Sequence, residues 1–260
     1  MRINFSFPNK LTWKVVTKHY LDPLQIFGFK VRKKIKSDLA KLVESPYGFI
    51  VESVNEEYVE KFMPIYEKNL ENKKNAIVFD IKDKIIVNPP HNYAYKALSL
   101  YLEKELLGGL IFSVRDDHLV GGYRVFPRVL EKMNLRNSPS LLCDYYLYDY
   151  AIGQGYKYIR RGKDRNCYGQ NASIGLALYK LKAGNIPYTL PQEIDEGCQQ
   201  YYEWDEKEIV LIFESDVCYD TQIQKAKLLV PKDLVEEVSV GEKYKALFRQ
   251  DHFTIDLVSN

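Results

Sequence analysis

A chain of 260 residues that is 46% hydrophobic and 28% charged carries enough apolar surface for one large or two small cores, which excludes a chain disordered by composition. No stretch reaches the roughly 18 consecutive apolar residues that a membrane span needs, and Met1-Arg2-Ile3-Asn4-Phe5 has neither the charged nor the apolar region of a leader. The expectation is a cytoplasmic protein without a membrane span. The net charge of +2 hides an asymmetry: residues 1–46 hold ten Lys or Arg against three Asp or Glu, concentrated in Lys30-Val31-Arg32-Lys33-Lys34-Ile35-Lys36, and the remaining chain is net acidic. Such a run is a solvated helix face, or it steers RNA or an anionic membrane surface toward the protein.

Pro8, Pro23 and Pro46 interrupt the first 46 residues, which read as a basic N-terminal accessory segment with one helix over about 25–43. Tyr47 to Val54 alternates as a strand does. Asn55 then offers an N-cap to a helix over 56–72, in which Tyr58, Phe62, Ile65 and Tyr66 recur at helical spacing and Pro64 is expected to kink or divide the helix. Ala76 to Phe79 and Ile85 to Val87 read as short strands in an insertion broken by Pro89-Pro90. Three apolar runs follow, Leu98–Leu102, Gly109–Val114 and Leu119–Phe126, with turns at Gly108-Gly109 and Asp116-Asp117, as in an antiparallel meander.

Ser138, with Pro139 at the first helical position, predicts a helix that ends at Gly153-Gln154-Gly155. Tyr156 to Arg161 reads as a strand, followed by a loop whose cations are Arg160, Arg161, Lys163 and Arg165. A second helix is expected over 173–182, and strands near Tyr188 and over 208–213. Residues from 221 form a C-terminal extension. The four cysteines, Cys143, Cys167, Cys198 and Cys218, lie too far apart for a Cys-x-x-Cys zinc pattern and read as reduced thiols. The four histidines are equally scattered, so no metal is expected.

Gly175-Leu176-Ala177-Leu178-Tyr179-Lys180-Leu181-Lys182-Ala183-Gly184 resembles the Gly-Leu-x-x-Phe-Lys-x-x-Phe-Gly signature of Fem-type and Fem-like acyltransferases, a branch of the GNAT superfamily. Tyr179 stands in place of Phe and Ala183 in place of the second aromatic. The resemblance spans about residues 47 to 215. It implies a GNAT-like α/β fold, a mixed, mostly antiparallel twisted sheet flanked by helices, with the acyltransferase domain over 47–220 between the segment 1–46 and the extension 221–260.

The resemblance further implies transfer of an acyl or aminoacyl group from acyl-CoA or an aminoacyl-tRNA to an amine, by direct attack in a ternary complex. No permanently bound cofactor is implied; acetyl-CoA or another acyl-CoA would be a co-substrate, and tRNA a partner. The amine would belong to a small molecule or a nucleotide-linked substrate. Lys180 is placed against a substrate phosphate or the reacting carbonyl, Tyr179 as a proton donor, and Arg160, Arg161, Lys163, Arg165 and Asn171 as substrate-binding residues. Asn137, Ser138 and Ser140 fall at the helix N-terminus that holds the donor's pyrophosphate in GNAT folds. Leu130 to Ser140 contains no glycine, unlike the usual coenzyme A loop, which favours the Fem-like branch. Asp144 is considered as a general base, and Cys143 and Cys167 as acyl-accepting thiols. The alternative is a catalytically silent GNAT-fold module that binds an acyl, nucleotide-sugar or RNA ligand.

Overall fold

In a computed structural model, residues 1–71, 78–90, 93–126, 135, 139–170, 172–191, 197–217, 219–241, 244–248 and 254–259 are described. In chain order the elements are β1 (Arg2–Pro8), β2 (Lys10–Val16), a short 3-10 turn (Pro23–Ile26), α1 (Phe29–Val43), β3 (Tyr47–Ser53) and α2 (Glu56–Leu70). A π-helical turn (Asp83–Val87), β4 (Ala94–Leu102), β5 (Glu105–Val114), β6 (His118–Val125), α3 (Pro139–Gly153) and β7 (Tyr158–Arg165) follow. The remainder is α4 (Ile174–Lys182), β8 (Ile186–Thr189), β9 (Cys198–Glu203), β10 (Val210–Glu214), β11 (Lys225–Val230), α5 (Val235–Val240), α6 (Lys245–Phe248) and β12 (Thr254–Ser259).

Two compact units divide the chain, one of residues 16–160 and the other of residues 1–15 with 161–260. The boundaries expected at 46 and 220 do not coincide with this division. The first 46 residues are not one piece either, since residues 2–16 are strands and the basic helix belongs to the other unit.

The unit of residues 16–160 is built on the order β3-β4-β5-β6, with each neighbouring pair antiparallel. The meander forms as expected, but its first turn lies at Glu103-Lys104, with Glu103 at φ 54°, and Gly108-Gly109 falls inside β5. The reason is steric rather than conformational: a Cβ on Gly109 would sit 2.8 Å from Leu98 O and 3.2 Å from the Tyr58 hydroxyl. Glycine lets β4 and the α2 tyrosine approach, and there Ser99 Oγ donates to Tyr58 Oη at 2.9 Å.

Asn55 Oδ1 caps α2 by accepting from Tyr58 N at 2.8 Å. The helix continues through Pro64 and is not divided there. Tyr58, Val59, Phe62 and Tyr66 are buried on one face, and Tyr58, Phe62 and Tyr66 stack in series at 5.8 and 6.1 Å. Burial of that face outweighs the single hydrogen bond that Pro64 removes. Ile85 to Val87 lie in the π-helical turn and not in a strand, with Asn88 N donating to Asp83 O at 2.7 Å.

The other unit carries the order β7-β2-β8, a β1-β9 pair and the order β10-β11-β12, in which β10-β11 is antiparallel and β11-β12 parallel. Leu11, Trp13 and Val15 of β2 are fully buried. Their alternation is a strand signal inside a segment read as accessory. Asn166 closes the end of β7: its Nδ2 donates to Pro8 O and Phe213 O at 3.0 and 2.7 Å, and its Oδ1 accepts from Phe213 N at 2.9 Å. Cys198 is disulfide-bonded, which corrects the expectation of four reduced thiols. Among the described residues no helix is long and apolar enough to cross a membrane.

Candidate functional site

Ile174, Ala177, Leu178 and Leu181 recur at helical spacing and bury one face of α4. Ser173 Oγ caps the helix by accepting from Leu176 N at 3.2 Å, and Gly184, at φ +76°, ends it. Asn185 secures that end, since both its backbone N and its Nδ2 donate to Lys180 O, at 3.0 and 2.9 Å. Lys180 thus stands on a helix whose last turn is fixed from both sides of its carbonyl.

The Lys180 ammonium meets Asp164 Oδ2 at 2.5 Å, and both side chains are only 12% exposed. The same oxygen accepts the Tyr168 hydroxyl at 2.7 Å and Trp13 Nε1 at 2.9 Å. Trp13, Tyr168 and Phe213 pack edge to face at 5.4–6.3 Å, a rigid aromatic wall behind the carboxylate. Burial, and next the Asp164 charge, push the Tyr168 phenol well above its ordinary range, so it remains a donor. The ammonium also lies 5.6 Å from the centre of the Trp13 ring. Of the four residues, sequence reasoning singled out only Lys180. Trp13 lies 151 positions from Asp164, and Tyr168, although four residues from Asp164, belongs to no motif that marks it.

Arg160, Arg161, Lys163 and Arg165 are not in a loop after a strand; they lie within β7, which runs four residues further than expected because β2 lies beside it. Strand alternation places Arg161, Lys163 and Arg165 on one face and Arg160 with Asp164 on the other. Arg161 is 7% exposed, whereas Lys163 and Arg165 are exposed. The cations therefore do not form one cluster. Tyr179 is half-buried beside Lys180. Asn171, Asn137 and Ser138 lie outside the described residues, and Ser140 is half-buried in the first turn of α3.

Arg160 belongs to the unit of residues 16–160, where its charge reaches His118 and Arg115. The Asp116-Asp117 turn closes with Arg115 N donating to His118 O at 2.9 Å, and His118 stacks on Tyr158 at 4.4 Å. Burial lowers the His118 pKa from 6.5; Asp117, 2.9 Å from Nδ1, opposes this, while Arg160 and Arg115 add to it. The unfolded chain therefore binds the proton better, and stability that is complete above pH 6.5 is lost as pH falls through the lowered folded value. Asp117, held below its ordinary 3.8 chiefly by its bond to His118, acts only at lower pH. His118→Phe keeps the ring stack without the proton. Its unfolding midpoint should fall less than that of the native chain between neutral pH and about pH 5.

Asp144 is fully buried in α3 and forms a two-point ion pair with Arg124 Nη1 and Nη2, which commits its carboxylate to that partner rather than to the role of general base. Cys143 is fully buried, and burial pushes the Cys167 thiol up to about 11. Neither is an activated nucleophile.

No protein-family model and no curated protein matches the sequence. Among solved structures the chain is similar to FemX, at 12% identity over 68% of this chain and 59% of that one, with a TM-score of 0.50. It is also similar to L-PGS from Bacillus licheniformis, at 16% identity over 68% and 52% of the two chains with a TM-score of 0.41. A third similarity is to the ribosomal-protein-S18-alanine N-acetyltransferase from Escherichia coli, at 12% identity over 51% and 75% with a TM-score of 0.36. The chain spans 59% of the length of FemX and 52% of that of L-PGS. The fold is GNAT-like, a mixed α/β structure with mostly antiparallel strands. The likeness to FemX is one of fold.

Proposed function

We propose that the chain is an acyltransferase that moves an acyl or aminoacyl group from acyl-CoA or an aminoacyl-tRNA onto an amine, by direct attack within a ternary complex. The observation that carries this reading is the position of Lys180: it falls on α4 where the Fem-like signature puts its lysine, and Asp164 fixes its ammonium at 2.5 Å. Acyl transfer requires a donor aimed at the carbonyl oxygen as charge develops there, or at the phosphate that anchors the substrate. An ammonium held by a largely shielded carboxylate is oriented before substrate arrives. Lys163 and Arg165, exposed on one face of β7, would take a substrate's phosphates. Raised and buried thiols favour direct transfer over a cysteine acyl-enzyme.

A second reading, a silent binding module, is favoured by one feature of the same network. The Asp164 carboxylate that engages Lys180 also takes Tyr168 and Trp13, an arrangement that serves the fold with or without chemistry. Thermal unfolding with acetyl-CoA and with charged tRNA separates the donors, because the ligand that binds raises the midpoint. Lys180→Met should lower turnover by about a hundredfold or more while the protein stays folded. Unchanged transfer in that variant would remove Lys180 from the mechanism, and no midpoint shift with either donor would favour the silent module.

A further inference from the structure

The basic segment ahead of the first meander strand is built in a way that helix stability does not explain. Helix α1 starts at Phe29 behind Gly28, with no side-chain cap and no acidic residue in its first turn. Lys30 and Arg32 stand there instead, where the helix dipole and the unpaired amides disfavour cations. Ile35, Asp38 and Leu42 face inward, so helical periodicity turns Phe29, Lys30, Lys33 and Lys36 to the opposite side.

That outer side carries apolar bulk as well as charge. Phe29 is 67% exposed and Leu21, just upstream, is 95% exposed. Single exposed apolar residues are ordinary; here the two stand in one short stretch of sequence with Lys18, Lys30, Lys33, Lys34 and Lys36, all exposed. Lys33 Nζ lies 4.7 Å above the Phe29 ring. Asp22 is the only acid from residue 18 to 37, and its carboxylate is turned to Leu24 N at 2.8 Å as a cap.

We propose that this face, from Lys18 to Lys36, docks on an anionic lipid surface, with the lysines against the headgroups and Leu21 and Phe29 entering the interface between headgroup and acyl chain. A duplex or single-stranded nucleic acid would use the same charges but would gain nothing from an aliphatic side chain as exposed as Leu21. The lipid surface uses both.

Co-sedimentation of the full chain with phosphatidylcholine vesicles, with and without phosphatidylglycerol, tests it. Binding is expected only to the anionic vesicles and should weaken as salt is raised. Lys30→Ala, Lys33→Ala and Lys36→Ala should each weaken it about fivefold, and the pair Leu21→Ser with Phe29→Ser about tenfold. All are exposed positions, so unfolding midpoints should match the native chain. Equal binding to neutral vesicles, or none to anionic ones, would overturn the proposal. So would a lysine-dependent affinity for a single-stranded RNA homopolymer with vesicle binding indifferent to Leu21→Ser and Phe29→Ser, an outcome that assigns the face to RNA.

Discussion

Asp164→Ala is expected to destabilise the chain by about 2–4 kcal/mol, measured by urea unfolding with an unchanged slope. One carboxylate oxygen serves the Lys180 ammonium, the Tyr168 hydroxyl and the Trp13 indole, and the variant withdraws that acceptor from all three at once. Trp13 and Tyr168 are fully buried, so water cannot replace it without opening the aromatic wall. Lys180→Met removes one donor and leaves Asp164 two others, so its cost should be smaller, about 1–2 kcal/mol. The opposite order would show that Asp164 is not the organising group. The comparison also bears on function: a variant that keeps most of its stability and loses transfer separates chemistry from scaffold.

Arg124→Ala should cost about 3–5 kcal/mol, the largest effect expected in the unit of residues 16–160. Asp144 is fully buried, and its two oxygens face the two terminal nitrogens of Arg124, so removal of the guanidinium strips a buried carboxylate of its counter-ion. Asp144→Leu alone buries the guanidinium against an apolar partner and should also destabilise. Arg124→Met with Asp144→Leu should recover much of the loss, because neither charge then remains to be desolvated. A double variant as unstable as the worse single one would show that the pair is not the coupled unit described.

Much of the architecture was legible in local patterns. The Asn55 cap, the meander of β4 to β6, Pro139 at the start of α3, and Ser173 with Gly184 around α4 are each written in a few neighbouring residues whose hydrogen-bonding or φ preference acts over one turn. The signature string places Lys180 on a short helix, and α4 is that helix. Local rules failed where a distant contact decides. Pro64 reads as a helix break, yet the buried Tyr58, Phe62 and Tyr66 carry α2 across it. Gly108-Gly109 reads as a turn, yet the approach of Leu98 O and Tyr58 keeps Gly109 within a strand.

By itself the sequence determined the order of helices and strands, the basic character of α1 and the place of Lys180 on a short amphipathic helix, because caps, periodicity and charge are properties of neighbouring residues. Only the tertiary structure decided that β2 lies between β7 and β8, that β7 extends to Arg165 and splits its cations between two faces, and that Trp13, Asp164, Tyr168 and Lys180 converge on one carboxylate oxygen. Those outcomes depend on strand pairing and on the burial of polar groups that must find partners, and both bring in residues far away in the chain, as in the bond from Trp13 to Asp164 with a separation of 151.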